Sequence, residues 1–120
     1  MFYEEIVHYM REFSRILKPT GRIWATFFVV NEGILGAIRD DPQTHYALSF
    51  RHPYGDGCYV NVLKEPRGAV AFDEETVNRM LESSGLVLCQ PILWGIWSGQ
   101  RADPKCGQDG LILMKPISSI

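Results

Sequence analysis

The stretch Arg22–Val30 (RIWATFFVV) is apolar, β-branched and aromatic, with no alternation of polar and apolar positions. Successive side chains of a strand point to opposite faces of the sheet, so a strand half in water alternates, and an unbroken run marks one covered on both faces. The run therefore predicts an α/β chain with a sheet flanked by helices on each side. It is too short to cross a bilayer, which takes about 20 apolar residues, so no membrane partner is expected. The chain has 120 residues, 46% of them hydrophobic and 22% charged. It reads as a single domain over residues 1–120, able to bury one core without metal or disulfide staples.

Helical spacing surrounds that strand. Phe2, Ile6, Met10, Phe13 and Leu17 recur at steps of three and four, which predicts a first helix whose apolar stripe they form. Pro19 and Gly21 end it. Asn31 is a cap for a short helix through Ile34, Leu35 and Ile38, weakened by Gly33 and Gly36. Tyr46–Phe50 and Tyr59–Leu63 are strand-like on either side of the turn-rich HPYGDG and predict a β-excursion from the main sheet. Asp73 caps a second strong helix, with a Phe72–Val77 hydrophobic staple, a stripe of Val77, Met80 and Leu81, and a stop at Gly85. The apolar stretches Val87–Trp97 and Leu111–Met114 follow as antiparallel strands, joined by a loop reading SGQRADPKCGQDG.

Twelve basic and 14 acidic residues leave a formal charge of −2, with no basic face. No nucleic-acid partner is expected, because phosphate contacts need clustered cations. Cys58, Cys89 and Cys106 are odd in number and widely spaced, which fits reduced thiols in a cytoplasmic protein. They form no C-x-x-C pair and His8, His45 and His52 add no cluster, so no metal site is expected. The sequence lacks G-x-G-x-x-G, the P-loop pattern and G-x-S-x-G, so it offers no phosphate cradle or nucleophile elbow. No catalytic residue can be named. Paired carboxylates such as Asp40 and Asp41 are adjacent and do not face one another as an acid and base. The binding candidates are Arg51, His52 and Tyr54 in the excursion loop, where polar and aromatic groups can converge on a small molecule. Trp94 and Trp97 join them, with core packing as the alternative reading; on a strand their odd separation would point them to opposite faces.

The order of elements and several strings resemble class I S-adenosylmethionine-dependent methyltransferases. The stretch YMREFSRILKPTGRIWATFF is similar to the part of that family where a helix ends in an LKPGG-like turn and enters the fifth strand, with Thr20 in place of the usual first Gly. FRHPYGDG, AVAFDEE, GIWSG and QDGLIL follow in order, so the resemblance covers nearly the whole chain. It implies a three-layer, partial Rossmann-like methyltransferase fold containing strands five to seven, the last two an antiparallel pair at one edge, with flanking helices and the β-excursion.

In that family S-adenosylmethionine is held by the first half of the fold, through a glycine-rich loop and acidic residues that have no counterpart here. The resemblance thus implies a truncated methyltransferase, a transferase fragment retaining the acceptor side, with no cofactor bound by this chain alone and no activity by itself. Arg51, His52, Tyr54, Trp94 and Trp97 would lie on the acceptor side. Without a fourth strand beside it, the Arg22–Val30 edge would be exposed, and an unpaired edge invites a second chain. A homodimer through that edge is expected. Two alternatives stand beside this reading: a non-catalytic dimerising module for binding or regulation derived from a methyltransferase, and a small-molecule enzyme with its site at the dimer seam.

Overall fold

The computed structural model describes residues 2–40, 50, 52–55, 57–95, 97 and 108–116. Three helices, α1 (Tyr3–Ile16), α2 (Glu32–Asp40) and α3 (Glu74–Ser84), accompany six strands: β1 (Ile23–Val30), β2 (His52–Pro53), β3 (Cys58–Val60), β4 (Val70–Asp73), β5 (Val87–Leu88) and β6 (Asp109–Met114). The strands form one mixed sheet in the order β2-β3-β4-β1-β6-β5. β1 lies inside it, parallel to β4 and antiparallel to β6, while β5 and β6 are an antiparallel pair at one edge. The chain is therefore mixed α/β, and no helix among the described residues is long and apolar enough to cross a membrane.

Helices cover both faces. Ile6, Val7 and Met10 of α1 pack with Val77, Met80 and Leu81 of α3 on one face, against Val29, Phe72, Leu111 and Leu113. On the other, Ile34 of α2 packs with Val30, Phe50, Ala71 and Trp97. The buried stripe of α1 is shorter than the spacing predicts: Phe13 is 46% exposed, and Phe2 and Leu17 are partly buried. Phe13 faces the groove between α1 and β1, while Leu17 still packs on the core.

The caps form as their side chains dictate. Asn31 Oδ1 accepts from the Ile34 N–H at 2.8 Å while its Nδ2 donates to Glu74 at 3.0 Å, tying the starts of α2 and α3 together. Asp73 Oδ1 accepts from the Thr76 N–H at 2.8 Å, and Gly85 stops α3 in the left-handed region at φ 70°. At the start of α1, Glu5 reaches back to accept from the Phe2 N–H at 3.2 Å.

Several expectations need correction. β1 is covered on both faces only toward its C-terminal end: Val29 and Val30 are fully buried, but Trp24 is 53% exposed and Thr26 is exposed. α2 reaches the far face beside Val30 and leaves Trp24 and Thr26 of that face open. The strand expected at Tyr59–Leu63 is Cys58–Val60, and Val62 and Leu63 are exposed. The β-excursion includes a strand, β4, in the residues expected only to lead into the second helix. Asp109 and Gly110, placed in a loop by their turn signals but in a strand by the resemblance of QDGLIL, begin β6, while β5 is confined to Val87–Leu88. The strand expected at Tyr46–Phe50 lies, apart from Phe50, outside the described residues.

Candidate functional site

Two features stand out at β1, one on each side of it. The first is an unpaired edge. β4 pairs with β1 only over residues 28–30, matching Phe28 with Ala71 and Val30 with Asp73. Among the described residues, 23–27 pair with β6 alone. The exposed edge is thus shorter than the expected Arg22–Val30, because the excursion supplies a parallel neighbour to its last three residues. Backbone groups alternate in direction along a strand, and the Val29 N–H points to the β6 side. The N–H and C=O of Trp24 and Thr26 accordingly point toward the open side.

That edge borders an apolar groove of about 340 Å³, formed by α1 through Ile6, Tyr9, Met10 and Phe13, by β1, and by the loop from Arg67 to Val70. Its volume falls within the range of small-molecule pockets, roughly 300–1,000 Å³. Its rim is held by charge and aromatic contacts. Arg67 bonds Glu5 at 2.6 Å and stands 4.9 Å over the Phe2 ring, which stacks on Tyr54 at 5.2 Å. The Arg67 hydrogen bond is the main cause of a lowered Glu5 pKa.

Trp24 crosses the far side of this edge, where its ring occupies the space that a side chain on Gly110 would need. Gly110→Ala is expected to push the exposed ring outward at a cost of no more than about 1 kcal/mol, since an exposed side chain can move. A shift of the Trp24 indole resonance, with nearly unchanged urea denaturation, checks this.

The second feature is a buried carboxylate. Asp109 is 0% exposed. Its Oδ2 accepts from the Val29 N–H at 2.8 Å and from Trp97 Nε1 at 2.9 Å, and its Oδ1 accepts from the Gly95 N–H at 2.9 Å. The β1–β6 ladder ends at the Phe27–Asp109 pair, and the carboxylate takes the Val29 N–H that lies just beyond it. Burial pushes the Asp109 pKa up, and the bonds from Gly95, Trp97 and Val29 partly oppose this.

Trp97 is anchored on its other side by rings. Its centroid lies 5.3 Å from Phe28 and 5.4 Å from Phe50, which are 5.2 Å from each other. Phe50 has φ 44°, a backbone conformation that a bulky residue adopts only when its surroundings impose it.

The binding candidates divide between the two faces. Trp94 and Trp97 both pack in the cluster around Phe50, and Trp94 also touches the α1 side. They are not on a strand, since β5 ends at Leu88, so the opposite-face argument does not apply to them. Tyr54 stacks on Phe2 beside α1, and His52 is half-buried in β2 opposite Val60. Arg51 lies outside the described residues. Asp109 was not among the candidates, because Asp-Gly before an apolar run carries the signature of a turn.

No group of His, Cys, Asp and Glu among the described residues could hold a metal ion. Cys58 is buried, which pushes its thiol pKa up, and Cys89 is exposed; both are free. No family model matches the sequence, and no solved structure matches the chain.

Proposed function

We propose that this chain is the acceptor-side part of a class I S-adenosylmethionine-dependent methyltransferase-like fold, with β1, β5 and β6 as its fifth, sixth and seventh strands. The reading places it in the cytoplasm, without activity alone. The observation that carries it is the placement of β1: it enters the sheet directly after the LKPTG turn and lies next to an antiparallel pair of strands at the sheet edge. Methyl transfer depends on holding donor and acceptor in line. The sequence has no glycine-rich loop for the donor, so the other half of the reaction must come from another polypeptide segment. Trp94 and Trp97 are the acceptor-side residues that the fold groups together; Arg51, His52 and Tyr54 complete the proposed set. Titration calorimetry of the purified chain with S-adenosylmethionine should show no binding. Tight binding would overturn the reading.

The open edge favours a second reading, a non-catalytic module that pairs with a copy of itself. Trp24 and Thr26 present their backbone groups two residues apart. About a two-fold axis at Ala25, each would face the other's counterpart in antiparallel register. Tyr9 and Phe13, 50% and 46% exposed, flank the same groove. Thr26→Lys puts a charge on this edge without touching the core. In sedimentation at micromolar concentration the parent chain is expected as a dimer and the variant as a monomer. A monomeric parent would reject the dimer.

A further inference from the structure

The groove between α1 and β1 has a direction. β1 runs along it from Ile23 to Phe28, a span of roughly 16 Å at about 3.3 Å per residue. Phe13 and Ile23 mark one end, where α1 gives way to β1 through the turn at Pro19. Arg67 marks the other. Its loop enters β4, whose first pair with β1 is Ala71 with Phe28, and its guanidinium bonds Glu5 in the first turn of α1. Among the described residues of the lining, Arg67 alone is charged. The walls between the two ends include core side chains: Phe72, Leu86 and Leu113 are no more than 2% exposed.

We propose that this groove binds a free medium-chain carboxylate, its acyl chain lying along β1 toward Phe13 and Ile23 and its carboxylate on the Arg67 guanidinium. The apolar length favours a chain, because each methylene withdrawn from water there favours the bound state. The charge at one end favours an anionic head. A guanidinium is a planar fork of N–H donors matched to carboxylate oxygens. That of Arg67 already holds one carboxylate through Nη1, and its side chain is still 64% exposed, which leaves its remaining donors for a second.

Glu5 is then an internal competitor. It takes part of the fork that the ligand needs, while also accepting from the Phe2 N–H. Removing its charge without removing its acceptor should strengthen the site, whereas removing Arg67 should weaken it. A purely structural ion pair gives no such opposite response. The inference rests on the interior and rim of the groove and not on the methyltransferase or dimer reading, and its ligand is not S-adenosylmethionine, so each can fail alone.

Sodium decanoate, titrated below its micelle concentration into the chain with carbon-13-labelled methyl groups, tests it by NMR. The methyl groups of Ile6, Met10 and Ile23 should shift saturably, and decyltrimethylammonium, with the same chain and the opposite charge, should bind more weakly. Arg67→Gln should weaken decanoate about two- to fivefold, the range for an exposed ion pair, without weakening the ammonium. Glu5→Gln should tighten decanoate by a similar factor. Shifts that never saturate, or that spread to Val62 and Leu63, which are exposed but not in the lining, would overturn the proposal. So would an ammonium bound as tightly as decanoate, an Arg67→Gln variant that keeps full affinity for decanoate, or a Glu5→Gln variant that does not gain any. If a variant does not fold, the two ligands compared on the parent chain decide alone.

Discussion

Asp109→Ala is expected to lower the unfolding free energy by about 3 kcal/mol, the size of effect that follows when buried donors lose their partners. The substitution strands the N–H groups of Val29, Gly95 and Trp97, which all point at the carboxylate. Part of that loss is returned, because the variant no longer buries a charge. The return depends on pH. Below the raised pKa the parent holds a neutral Asp109 and carries no charge cost; above it the parent is ionised and weaker. The difference between parent and Ala variant in urea denaturation should thus be larger at acid than at alkaline pH. A difference that grows as pH rises would show that hydrogen bonding to the charged form outweighs burial.

Gly57→Ala is the second large effect, expected at about 2–4 kcal/mol. Gly57 has φ 68°, where an Ala side chain costs about 1–2 kcal/mol in backbone strain alone. A β-carbon there would also collide with Thr76 Oγ1 and crowd both carboxylate oxygens of Asp73. Asp73 is the cap of α3, and disturbing a cap costs about 1 kcal/mol. The Gly57 carbonyl further accepts from the Asp73 N–H at 3.0 Å, so turn and helix cannot easily separate. Gly55→Ala is the control: its φ is 94°, but nothing stands within 4 Å of the added carbon. Melting of the two variants should differ by several degrees, with the Gly57 change the worse; equal effects would mean that strain alone matters.

Local signals in this sequence were the legible ones. Asn31 and Asp73 cap the helices they were expected to cap, because a side-chain acceptor three residues before a free N–H acts within one turn. Val77, Met80 and Leu81 are buried and Gly85 is left-handed, as their spacing implies. The antiparallel pairing of the last two apolar stretches also holds. Non-local facts were less legible. The run through Trp24 and Thr26 looked doubly covered, but cover on one face depends on where α2 lands after Val30, which no pattern within the run encodes. β4 was missed because Val70–Phe72 is very short and merges into the cap. Asp109 was missed because its acceptor role is set by residues such as Val29, 80 positions away.

That distance also affects how the chain folds. β1 sits in the middle of the sheet, yet both neighbours follow it in sequence, and β6 comes last of all. At about 5–20 residues per second of synthesis, β1 waits on the order of ten seconds before β6 emerges. Through that interval Phe27 lacks Asp109, its partner in β6, whereas Phe28 and Val29 can already meet Ala71 and Phe72 of β4, and contacts this distant in sequence close slowly. Until β6 is made, the β6-facing side of residues 23–27 is therefore an unpaired strand edge, the kind of surface that favours aggregation.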